Sequence, residues 1–162
     1  MNYIYIIFLL LCLPTGLLVA QTAEIETILN IELQREIQHQ QEDSENYRGE
    51  IVEVAENFKI ENGVLSVTFR KKSYYSGEDY LERKEVELNQ ITLVEKDLQV
   101  VFSSEIDAVK IIRTTGEKID VSYDNLFLTH LSIGKYNEFL ADELVAAFKK
   151  AGYTIEKGEW MD

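Results

Sequence analysis

Three groups of residues in this sequence have types and spacings that could do chemistry. In Ser132-Ile133-Gly134-Lys135 a lysine amine stands where it could draw the proton from a serine hydroxyl in acyl transfer, with Tyr123-Asp124-Asn125 as a companion polar element. That chemistry needs the serine at the start of a buried helix, and here Gly134 interrupts and no Lys-Thr-Gly element follows. The segment reads instead as a strand exit and helix cap, with Ser132 or Asn137 offering the capping oxygen. The 2 histidines, His39 and His130, could bind zinc only with help from carboxylates, and neither has the close spacing of a helical metal motif. The 29 acidic side chains could supply a carboxylate pair for glycoside hydrolysis, but with so many any two will approach somewhere, and a solvated face accounts for them. The sequence therefore names no catalytic, cofactor-binding or metal-ligating residue and leans away from an enzyme. A small exported hydrolase with carboxylates meeting in a cleft is the alternative.

One local reversal of charge points to binding. Arg70-Lys71-Lys72 interrupts an acidic chain and is followed by Ser73, Tyr74 and Tyr75. A basic run beside paired tyrosines suits a protein or glycan partner, because tyrosine presents broad contact area at small entropic cost. The candidate binding surface is accordingly Arg70, Lys71, Lys72, Tyr74 and Tyr75, set against the plainer reading of a solvated strand end. A net charge of −13 repels phosphate backbones and anionic lipid, so neither nucleic acid nor an acidic membrane is an expected partner.

These residues need elements to position them. Residues 1–20 hold no charged side chain: an apolar run from Tyr3 to Leu13, an expected helix break at Pro14-Thr15-Gly16, and Ala20 as a cleavage point. This reads as a signal peptide and an exported, periplasmic or secreted protein, with an uncleaved membrane anchor as the alternative. The only cysteine, Cys12, lies in this run, so the processed chain would have no disulfide. Residues 21–50 form an acidic helical arm and linker. Ile25, Ile28, Leu29, Leu33 and Ile37 fall at helical spacing, followed by the periodless Gln38 to Asn46, so the helix is expected to be loosely attached.

From Ile51 the hydrophobic period becomes two. Asn62-Gly63 makes a two-residue hairpin turn that would set Leu65, Val67 and Phe69 opposite Ile60, Phe58 and Glu56. The charged stretch Tyr80 to Leu88 suits a guarded edge strand. Ile91 to Val94, Leu98 to Phe102, Ala108 to Arg113, Lys118 to Tyr123 and Leu126 to Leu131 continue the series, with Ile119, Val121 and Tyr123 expected to face the core. Lys135 to Gly152 is an amphipathic helix with Tyr136, Phe139, Leu140, Leu144, Ala147, Phe148 and Ala151 on its apolar stripe and Gly152 as a left-handed stop. The fold class is α+β: about seven antiparallel strands in a curled sheet or partly open barrel over residues 51–155, capped by one C-terminal helix, with 156–162 as a tail.

In strand number, strand order and closing helix, Ile51 to Gly152 resembles the pleckstrin-homology-like fold. VELNQITLV followed by DELVAAFKKAGY is also similar to small exported proteins of Bacteroidetes-type bacteria. Phosphoinositide-binding members of that fold hold the headgroup with basic residues near the first hairpin. Here the basic run follows the second strand, so the resemblance implies a scaffold and a compartment but no lipid site.

Overall fold

A computed structural model describes residues 13–42, 53–132 and 137–161, with side chains from Thr22 onward. The expected leader lies largely outside these residues, as do part of the linker and the Ile133 to Tyr136 half of the Ser-x-x-Lys segment. The chain is α+β. Helix α1 spans Leu13–Glu42, followed by β1 Glu53–Glu61, β2 Val64–Lys72, β3 Asp79–Glu87, a 3-10 turn Leu88–Gln90, β4 Ile91–Lys96, β5 Val100–Ser104, β6 Val109–Thr115, β7 Lys118–Asp124 and β8 Leu126–Leu128. Helix α2 Phe139–Lys150 and β9 Glu156–Trp160 close the series. The strands form two open sheets, five in the order β1-β2-β3-β6-β7 and four in the order β8-β5-β4-β9. The single curled sheet is thus corrected to two, and the tail to a strand: Glu156–Trp160 runs parallel to β4, and Met161 N–H bonds Lys96 O at 2.8 Å.

The Asn62-Gly63 turn forms with both residues at positive φ, 53° and 78°, as a hairpin turn of this kind requires. Ile60 pairs with Leu65 as the turn dictates, but shifts between Val54, Glu56 and Lys59 bring Phe69 opposite Val54 rather than Glu56. These bulges bend β1 and leave backbone groups of Phe58 unpaired by a strand. Helix α1 supplies the missing partners. The Asn30 side-chain amide donates to Phe58 O at 2.8 Å, its oxygen accepts Phe58 N–H at 3.0 Å, and Glu26 accepts Ile60 N–H at 2.9 Å.

That docking overturns the loosely attached arm. Ile25, Leu29 and Leu33 are fully buried in the same cluster as Phe58, Leu65, Phe102, Leu144 and Phe148, so α1 belongs to the core. The same helix runs through Pro14, Gly16 and Ala20, so the expected break at Pro14-Thr15-Gly16 is absent. Cleavage after Ala20 would leave the buried stripe intact.

Helix α2 keeps Leu140, Ala141, Leu144, Ala147 and Phe148 buried, and Tyr153 N–H bonds Phe148 O while Gly152 N–H bonds Lys149 O. With Gly152 at φ 87° and Tyr153 edge-on to Phe148, the stop is a complete left-handed cap. Phe139 does not join the stripe. It lies roughly 100° around the helix from Leu140, on the side away from Ala141, and is 53% exposed.

Candidate binding surface

The end of the five-stranded sheet that carries the basic run is built by β2, β3, β6 and β7. Lys72 pairs with Asp79, Leu81 with Thr114 and Thr115 with Lys118, so the β2–β3 loop and the β6–β7 turn project from the same end. The pleat separates the three basic residues. Arg70 lies on the outer face, its Nε 2.8 Å from Glu53, while Lys71 turns to the inner face and places its ammonium 3.2 Å from Glu82. Lys72 is exposed at the strand end.

Beyond it the loop is held by its own backbone. Ser73 N–H bonds Glu78 O at 2.8 Å, Gly77 N–H bonds Ser73 O at 2.9 Å, and Gly77 adopts φ 72° to close the turn. Tyr74 and Tyr75 stand on this frame at 95% and 98% exposure, their rings edge to face with centroids 5.6 Å apart. Of the five expected surface residues, four therefore remain together on the rim and Lys71 is withdrawn into an ion pair.

The residues that sequence reasoning missed lie beneath. Strand β3 is not an edge: it pairs with β2 on one side and β6 on the other, and Glu82 and Lys84 are both buried on its inner face. Glu82 meets Lys71, Arg113 Nε at 2.8 Å and Lys84 at 3.6 Å. Burial pushes its carboxyl up, but the charge of Lys71, the Arg113 hydrogen bond and the charge of Lys84 outweigh it and hold the group below the ordinary range. A carboxylate kept ionised in this way is a poor proton donor.

Lys84 also donates to Leu128 O at 3.0 Å and lies 3.1 Å from His130 Nε2. His130 holds φ 60°, its ring edge-on to Phe69 at 4.6 Å, and its N–H bonds the Gln99 side chain at 2.7 Å. This irregular stretch after β8 is fixed further by fully buried Glu36 of α1, which accepts Ser132 N–H at 2.8 Å and Ser132 Oγ–H at 2.7 Å. The serine of the Ser-x-x-Lys pattern is thus bound through both its N–H and its hydroxyl to a carboxylate from the other end of the chain.

On the outer face, Arg83 ties Glu56, Glu85 and Ser66 across three strands. A shallow groove along α1, lined by Glu26, Asn30, Ile31, Gln34 and Arg35 among others, has its carboxylate and amide engaged with β1. Among the described residues no cluster of three His, Cys, Asp or Glu could hold a metal ion, and no helix is long and apolar enough to cross a membrane. No family model, curated protein or solved structure matches this chain.

Proposed function

We propose that this protein is a non-catalytic exported domain that holds a protein or glycan through the β2–β3 loop. Tyr74 and Tyr75 are the anchors, and Lys72 and Arg70 form the charged rim. The observation that carries the reading is the pair of almost fully exposed tyrosines on a loop whose backbone is already hydrogen-bonded. Large aromatic side chains left in water on a rigid support bring contact area with little ordering entropy left to lose on binding. The apolar leader supports a compartment outside the cytoplasm, on the pleckstrin-homology-like scaffold suggested by the strand pattern. The hydrolase alternative gains nothing from Glu82, whose charge is absorbed by three cations.

The test is a photo-crosslinkable residue at Tyr75, irradiated in the protein's own envelope extract and on immobilised glycans, beside the Tyr74→Ala/Tyr75→Ala variant. The double variant is expected to keep its thermal transition, since it changes only exposed side chains, and to lose retention of the crosslinked partner. Retention unchanged in that variant would overturn the assignment.

A further inference from the structure

The second edge of the five-stranded sheet has no cover. Strand β7 ends the sheet order, and no strand or helix among the described residues pairs with its far side. The Gly116-Glu117 turn closes on the pair Thr115 and Lys118, with Gly116 at φ 57°. Such a closing pair is hydrogen-bonded, and alternate pairs after it are not. The residues whose N–H and C=O point away from β6 are therefore Ile119, Val121 and Tyr123. Their side chains are also exposed, at 63%, 51% and 62%, against the expectation that they face the core. An uncovered apolar edge of this length invites another strand.

The sequence of β7 indicates which strand. About Val121 it is complementary to its own reverse. An antiparallel partner centred on that residue sets Val121 against Val121, Ile119 against Tyr123, Asp120 against Ser122, and Lys118 against Asp124. At each end Lys118, already 2.8 Å from Asp120 of its own strand, gains a second carboxylate in the partner's Asp124, the flanks gain a β-branched residue against an aromatic, and every outward N–H and C=O of the three apolar residues finds a partner. Asp124 is held in place at the strand end, its Oδ1 accepting Asn125 N–H at 2.7 Å and Leu126 N–H at 3.2 Å.

We infer that β7 is the contact of a two-fold dimer, in which two copies join edge to edge through Lys118 to Asp124 and their five-stranded sheets become one. The same residues meet their own equivalents, the closed arrangement that two-fold symmetry imposes. One short strand per chain is a small interface, so the dimer belongs to the weak, concentration-dependent class.

Analytical ultracentrifugation of the full chain from micromolar to millimolar concentration tests this, with V121K and K118D beside it. V121K places two like charges on the axis, and K118D sets two carboxylates opposite each other at both ends. The wild type is expected to dimerise reversibly, V121K to remain monomeric, and K118D to weaken the dimer on the order of tenfold, with all three keeping the same thermal transition. A dimer that survives V121K has formed elsewhere, for instance through residues 1–12, and overturns the proposal. A wild type that is monomeric throughout does so too. If that monomer instead sediments with phosphatidylcholine vesicles, the occupant of the edge is a lipid surface.

Discussion

The two edges of the five-stranded sheet solve the same problem in opposite ways. At β1 the exposed backbone is answered by side chains from a helix: one asparagine takes both polar groups of Phe58, and a glutamate one turn earlier takes Ile60 N–H. At β7 nothing among the described residues plays that part, and three apolar side chains stand in water beside the free backbone. The difference shows that an edge is sealed by specific hydrogen-bond partners as well as by bulk. It also shows that helix α1, acidic and thinly apolar as it is, holds its place through polar groups as much as through Ile25, Leu29 and Leu33.

Stripping the sealed edge should have the largest effect. A chain lacking residues 1–42 loses the whole of α1, opens β1 and the core together, and is expected to show no cooperative thermal transition by calorimetry. A transition near that of the full chain would mean that α1 is an accessory after all.

Between the two edges, Glu82 links β3 to β2 and β6, and Glu82→Gln removes the buried carboxylate that Lys71, Lys84 and Arg113 share. Breaking such a buried pair costs about 3–5 kcal/mol, read by urea denaturation at neutral pH. Because the folded carboxyl is held below its ordinary value of 4.5, its contribution is fully present above that value and is lost as pH falls through the lower, folded one. The Gln variant should therefore lose less stability than the wild type over the same acid range. Parallel acid curves for the two proteins would remove Glu82 from the account.

Asn30→Ala opens the sealed edge without emptying the core. Both Phe58 backbone groups lose their partner, which is expected to destabilise the protein by about 1–3 kcal/mol. Val121→Lys at the open edge is the smallest change, within about 0.5 kcal/mol in dilute solution, because an already exposed side chain is replaced by another. Equal losses in these two variants would erase the contrast between the edges.

How far the sequence disclosed this arrangement depends on which residues carried the information. Turn chemistry was legible: Asn62-Gly63 specifies its hairpin locally and Gly152 stops α2, so each forms where expected. Alternation was legible only halfway. The period of two in Ile119, Val121 and Tyr123 separates two faces of β7 but does not say that the sheet extends past its covering layer there, leaving both faces wet.

The converse holds for β3. Glu82 and Lys84 read as guards of an exposed edge because the cations and carbonyl that satisfy them come from β2, β6 and β8. Strand β9 was hidden because Glu-Lys-Gly-Glu-Trp is polar and pairs with a distant parallel neighbour, with Gly158 giving the room that Leu93 and Glu95 require. At the candidate binding surface the exposed tyrosines were legible from composition, whereas the withdrawal of Lys71 depends on Glu82 and was not.

Residue-resolved amide hydrogen exchange, at a dilute and at a high protein concentration, tests the contrast between the edges most directly. Phe58 and Ile60 should exchange slowly at both concentrations, while Ile119, Val121 and Tyr123 should exchange fast when dilute and slowly when concentrated. Fast exchange at Phe58 and Ile60, or slow exchange along β7 in dilute solution, would contradict it.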